Sequence, residues 1–148
     1  MAWVPTIANI AAPTTTELNA GLLLTFLITR DGLMGFEPTT NKVDNSSIGD
    51  IFDISSAGTD TFNDSGFRLK KQTGTDTAHT TLVKGTAGYT VIRRDIDRNT
   101  AWASSQKVEV YPSVCGRRKR LAPEKDTVAR YEVPIFITSE PNIDAAVA

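Results

Sequence analysis

Between Thr127 and Thr138 apolar side chains fall on every second residue: Ala129, Tyr131, Val133, Ile135 and Ile137. That period commits the segment to an extended strand with one face on a core, because successive side chains of a strand point to opposite sides. Lys107 to Tyr111 repeats the pattern with Val108 and Val110 on one face, and Phe67 to Gln72 alternates apolar and basic. The 107–111 and 127–138 segments have the spacing of an antiparallel hairpin. Pro112 and Pro134 lack the N–H that a ladder needs, so each calls for an edge position or a bulge.

The other strand signals are less regular. Leu22 to Arg30 is the most hydrophobic segment and reads as a central strand buried on both faces. Residues 1–16 hold Pro5, Pro13 and three consecutive threonines, with only Trp3 and Ile7 to bury. They read as an extended arm ahead of a single domain over 17–140, with 141–148 as a short tail. Residues 31–66 are broken by turn signals such as Asp31-Gly32, Asn45-Ser46-Ser47 and Ser65-Gly66. Phe36, Ile48, Ile51, Phe52 and Phe62 are spread too thinly there to make a core of their own. A long loop with isolated apolar residues suggests contacts with another subunit; an ordinary hairpin is the plainer alternative.

One segment, Asp76 to Arg94, has helical character. Asp76 is a good N-cap, and Ala78, Leu82 and Val83 lie on roughly one side at helical spacing. Gly85 falls where a left-handed C-cap is expected, Gly88 allows a second sharp turn, and Tyr89, Val91 and Ile92 read as a strand. Together these signals predict a mainly β fold, a β-sandwich or barrel with one short flanking α-helix.

Little in the chain points to chemistry. Lys84-Gly85-Thr86-Ala87-Gly88 has neither the spacing nor the trailing Lys-Ser/Thr of a phosphate loop. Asp53, Asp60 and Asp64 lack the pattern of a calcium loop. Cys115 stands alone, so no intramolecular disulfide is possible, and His79 is the only histidine that could assist it. Asn45-Ser46-Ser47 matches a glycosylation acceptor, but the N-terminus has no basic signal-peptide region, and no apolar run approaches the length of a membrane span. The chain reads as a soluble protein of a reducing cytoplasm.

Charge is unevenly placed. Residues 1–66 carry two basic against eight acidic side chains, and the remainder carries fourteen against nine. The two halves either attract each other between copies or interleave within one sheet. The densest run, Arg117-Arg118-Lys119-Arg120, is either a solvated turn or a partner for the acidic loop of a neighbouring subunit. No aromatic platform accompanies it, as single-stranded nucleic-acid binding would require.

The phrases Leu82-Val83-Lys84-Gly85-Thr86-Ala87-Gly88-Tyr89, Val108-Glu109-Val110-Tyr111-Pro112 and Val133-Pro134-Ile135-Phe136-Ile137-Thr138-Ser139-Glu140-Pro141, in that order before an alanine-rich end, resemble the tail tube (major tail) proteins of long-tailed bacteriophages, especially phages of actinobacteria. The resemblance covers roughly residues 17–148 and is weakest in the 31–66 loop. It implies a small β-sandwich whose copies form hexameric rings that stack into the hollow tail of the virion. It implies assembly around a tape-measure protein, contacts with tail tip and terminator proteins, transient passage of DNA, and synthesis in the host bacterial cytoplasm. It brings no catalytic residue, metal or cofactor, and no membrane. On this reading Phe36, Ile48, Ile51, Phe52, Phe62 and Arg117 to Arg120 are subunit-interface candidates, and Gly85 and Gly88 form a structural corner. A terminator or connector ring protein, or a monomeric β-sandwich binding module, are the competing readings.

Overall fold

The computed structural model describes residues 1–148. Eleven strands and two short helices follow in the order β1 (Ala2–Val4), α1 (Thr15–Ala20), β2 (Leu22–Leu23), β3 (Ile28–Met34), β4 (Thr39–Asp44), β5 (Ser55–Thr61), β6 (Gly66–Lys70), α2 (Thr77–Thr81), β7 (Ala87–Ile92), β8 (Lys107–Cys115), β9 (Lys119–Arg120), β10 (Arg130–Ile137) and β11 (Asn142–Ala146). The mainly β class is as expected, with two helices instead of one. Nine strands make one sheet along the path β2-β1-β7-β8-β10-β6-β3, with β11 added to β8 and β9 to β10; β4 and β5 pair only with each other. The two end strands of the path, β2 and β3, are joined by only residues 24–27, so the sheet curls round on itself.

Period-two alternation divides the core into two layers. Trp3, Ile92, Tyr111, Tyr131, Val133 and Ile135 point into one cluster, where Phe67, Leu69 and the α2 residues Ala78 and Leu82 join them. Their neighbours in sequence, Ala2, Val4, Val91, Val108 and Val110, point to the other face, where Leu18 of α1, Ala145 and Val147 cover them. The middle of the sheet is therefore buried on both sides.

Several segments differ from their sequence expectations. Residues 1–16 are not a free arm. Strand β1 pairs with β7 (Ala2↔Val91, Val4↔Tyr89), and Ala2, Trp3, Val4 and Ile7 are buried. Thr14 and Glu17 form a reciprocal capping box that starts α1, a Thr-x-x-Glu signal present in the sequence. The expected tail, 141–148, is strand β11, which pairs with β8. In both cases the partner that orders the segment lies far along the chain.

Leu22 to Arg30 is not one central strand. The N–H of Leu24 donates to Met1 O, and those of Leu27 and Ile28 donate to Leu24 O, so the chain turns between β2 and β3. Leu24 is fully buried at this corner, while Leu23 and Phe26 stay exposed. Residues 31–66, expected as a long loop, contain the end of β3 and the β4–β5 hairpin.

Pro112 and Pro134 lie inside the central strands β8 and β10, not at edges. Each falls where its strand changes partner. β8 pairs with β11 up to Val110 and with β10 from Ser113 onward. β10 pairs with β6 up to Pro134 and with β8 from Ile135 onward. Each proline sits at one end of the β8–β10 ladder, where its carbonyl still accepts, Pro112 from the Thr138 N–H at 2.9 Å and Pro134 from the Gly116 N–H at 2.7 Å, so only one terminal donation is lost at each.

Candidate assembly interface

The helix–corner–strand unit forms, but Gly85 is not the C-cap of α2: the helix ends at Thr81 with Leu82 as its C-cap, and Gly85 turns the chain three residues after that cap. Asp76 caps α2, its Oδ1 accepting from the His79 N–H at 3.0 Å. Its Oδ2 accepts from Gln72 N–H at 3.1 Å and from Lys71 Nζ at 3.0 Å. Burial is the strongest single influence on this carboxyl and pushes its pKa up, but the donors together outweigh it and hold it below the ordinary 3.8. Gly85 has a φ of +88°, and its N–H donates to Cys115 O at 2.8 Å, fixing the corner to β8. Gly88 is not a second turn. It lies within β7, and a Cβ there would meet Trp3 ring atoms at 2.8–2.9 Å. Its role is to let the indole lie against the strand.

Nothing around the corner is built for catalysis. The Cys115 thiol is buried and burial pushes it up to about 12, so it stays protonated. Burial, then the neighbouring Arg118 and Lys71, lower the His79 pKa and keep its ring neutral. No group of three or more His, Cys, Asp or Glu side chains is placed to hold a metal ion, and no helix is long and apolar enough to cross a membrane.

The interface candidates divide sharply. Phe36 is core: it stacks on Phe67 with centroids 5.7 Å apart and meets Tyr111 edge-on at 5.0 Å. Its carbonyl also accepts from the Tyr111 hydroxyl at 3.2 Å. It cannot reach another subunit. Phe62 is half-buried beside Tyr111, ring centroids 6.0 Å apart. Ile48 and Ile51 are fully exposed and Phe52 is 80% exposed, all at the turn of the β4–β5 hairpin.

That hairpin is a two-stranded projection. Its two strands contact each other and pack substantially on no other element. Thr40 Oγ1 donates to Asp60, Asn45 Nδ2 to Ser56 Oγ at 2.8 Å, and Ile54 N–H to Ser46 Oγ at 2.9 Å, so polar side chains fix its register and its turn. An isolated two-stranded hairpin is marginal in water, so this one gains from a partner.

The basic run is extended, not a hairpin tip: Lys119–Arg120 is strand β9, pairing Arg120 with Tyr131 and Lys119 with Glu132. Alternation sends its members to opposite faces. Arg117 and Lys119 border an open groove of about 1250 Å³ with Phe62, Phe136 and Ile143, whereas Arg118 and Arg120 bear on His79. Lys119 Nζ is already 3.5 Å from Glu132. The groove went unread in the sequence, although Ile135-Phe136-Ile137 carried a signal: of three apolar neighbours in a strand, one must face outward, and Phe136 does.

The halves of the chain interleave in the sheet, and Asp31 pairs with Arg68 at 3.0 Å. The unneutralised acid of the first half collects on the hairpin, where Asp44, Asp50, Asp53 and Asp60 outnumber Lys42.

A curled sheet with an exposed apolar–acidic projection defines a β-protein with a surface to offer a partner. The family model described as phage tail tube protein matches residues 1–148, so the chain belongs to that family. It is a structural, non-enzymatic component of the phage tail that self-assembles into a tube. No curated protein matches the sequence.

Proposed function

We propose that this chain forms hexameric rings that stack into the tube through which DNA leaves the virion, in a long-tailed phage of the actinobacterial type. The observation that carries the proposal is the β4–β5 hairpin: it leaves the sheet with Ile48, Ile51 and Phe52 in solvent and no partner within its own chain. Exposed apolar groups on a marginal hairpin are stabilised by burial against another copy, at roughly 25 cal/mol per Å². Ile48, Ile51, Phe52 and Phe62, with Arg117 and Lys119, supply the contacts between subunits. Synthesis takes place in the host cytoplasm. The tape-measure protein occupies the lumen during assembly, and tail tip and terminator proteins close the two ends.

Negative-stain microscopy of the purified protein at high concentration tests this reading. Tubes with sixfold averaged cross-sections are expected. Single rings that never stack would point to a terminator or connector role, and a persistent monomer to a binding module; either result would overturn the proposal.

A further inference from the structure

A second pocket, about 380 Å³, opens between β1, β2, α1 and the 95–106 connection, and Leu23, Phe26, Arg93, Arg98 and Trp102 are among the residues that line it. Its wall is built by Arg93. That guanidinium donates to the carbonyls of Asp97, Thr100 and Ala101 and to Gln106 Oε1, at 2.7–3.3 Å. It also stacks 4.5 Å from the Trp102 ring. Arg98 lies 5.4 Å from the Phe26 ring, is exposed, and forms no ion pair. The lining contains no carboxylate. The carboxylate nearest in sequence to Arg98, Asp97, is engaged with the Asn99 N–H at 2.8 Å.

The hairpin turn has the opposite character. Ile48-Gly49-Asp50-Ile51-Phe52-Asp53-Ile54 presents exposed apolar side chains flanked by acids. Asp50 accepts from the Ser47 N–H, while Asp53 pairs with no cation in its own chain. Turn and pocket also lie at opposite ends of one strand. The β3–β6 ladder runs from Ile28↔Leu69 to Met34↔Gly66. The hairpin departs beyond Met34, and Phe26 stands just before Ile28. Residues 29–32 bulge out of this ladder, so its ends stand only three β6 residues apart. No hairpin residue lines the pocket and Ile48, Ile51 and Phe52 stay in solvent, so the turn does not fill the socket of its own chain.

We propose that this pocket is the socket for the hairpin turn of a second copy of the chain, with Phe52 seated against Phe26 and Trp102 and Asp53 facing Arg98. The proposal rests on the reading of the hairpin as the assembly element. Turn and socket are different surfaces, so the contact is head-to-tail and passes from copy to copy, the kind of contact that links one ring to the next. The pocket volume is at the low end of the binding-site range of about 300–1,000 Å³, enough for one or two apolar side chains. The groove beside Arg117 is the poorer socket, because Asp60, Asp64 and Glu140 also line it.

The test uses the full-length protein and measures the concentration at which tubes form, by sedimentation and microscopy, with thermal melts as the control for folding. Arg98→Asp, Phe26→Asp and Asp53→Arg are each expected to raise that concentration by about tenfold or more, a modest change for a hot-spot contact. The melting temperatures are expected to stay unchanged, since all three side chains are exposed. The double variant Asp53→Arg with Arg98→Asp is expected to recover assembly. If both socket variants assemble like wild type while Phe52→Ser does not, another surface receives the turn and the socket proposal falls, with the hairpin role intact. If Phe52→Ser also assembles normally, the hairpin reading and the socket fall together.

Discussion

Gly88 gives up its side chain to Trp3: the indole atoms Cε2 and Cζ2 lie 2.8 Å from where a Cβ of residue 88 would be. Trp3 comes from the first strand of the chain and Gly88 from the seventh, and the contact closes one face of the β1–β7 pair. Trp3 is fully buried and has no room to move aside. Gly88→Ala is therefore expected to destabilise the fold by about 1–3 kcal/mol, as overpacked cores do. Trp3→Ala is expected to cost about 3–5 kcal/mol. Denaturant melts of both single variants and the double check this. A double variant no more destabilised than Trp3→Ala alone demonstrates the coupling, and simple additivity refutes it.

Asp76 links α2 to the sheet through the His79 and Gln72 N–H groups and Lys71. Asp76→Ala is expected to destabilise by about 2 kcal/mol, the scale of a lost cap and a buried charged hydrogen bond. Its folded-state pKa is depressed, so the native state holds fewer protons than the unfolded state in the acid range. The stabilisation is full above the unfolded carboxyl value of about 4 and is lost as pH falls through the lower folded value. Unfolding of Asp76→Asn measured from pH 7 to pH 3 is expected to show its deficit shrinking only below about pH 4. A deficit independent of pH would refute the charge-based account.

Cys115 is a probe of folding. Burial keeps its thiol protonated and out of reach, so a thiol reagent at pH 8 is expected to label it only through unfolding. Labelling should accelerate through the denaturant transition. Fast stoichiometric labelling of the native protein would contradict the packing of the β8–β10 layer.

The hairpin and its root behave as different things. Thr39 pairs with Thr61, so a short glycine–serine link can replace residues 40–60 without moving the ends. That variant is expected to melt close to wild type and to form no tubes. Phe36→Ala, only a few residues away, is expected to lose about 3–5 kcal/mol because it empties a site between Phe67 and Tyr111. Calorimetry and microscopy on the pair separate assembly from folding. Loss of folding in the hairpin deletion would place β4–β5 in the core.

Gly85 has a backbone requirement with no steric one: its φ is +88°, and beyond its chain neighbours no atom lies within 4 Å of where a Cβ would stand. Gly85→Ala is expected to cost about 1–2 kcal/mol from the left-handed backbone alone. Asparagine, which tolerates positive φ better, is expected to cost less. Equal melting of all three proteins would remove the strain argument.

Where neighbours in sequence carry the physics, most of the fold was readable, the exception being the Thr14-x-x-Glu17 capping box that starts α1. Alternation in β6, β8 and β10 told which side chains enter the core, and Asp76 marked the start of α2 and Gly85 the corner beyond it, because these depend on contacts within a few residues. What the tertiary structure alone decided is where the irregular text goes. Trp3 becomes a strand residue only because β7 is there to pair with it, and Val147 is buried only because β8 lies under the chain end. Phe36 and Phe52 look alike in one turn-rich stretch, yet Phe67 and Tyr111 bury the first and nothing in the chain meets the second. Pro112 and Pro134 are allowed in central strands only because the sheet changes partners at those residues. Each of these outcomes is set by a contact between residues far apart in the chain, which local periodicity does not encode.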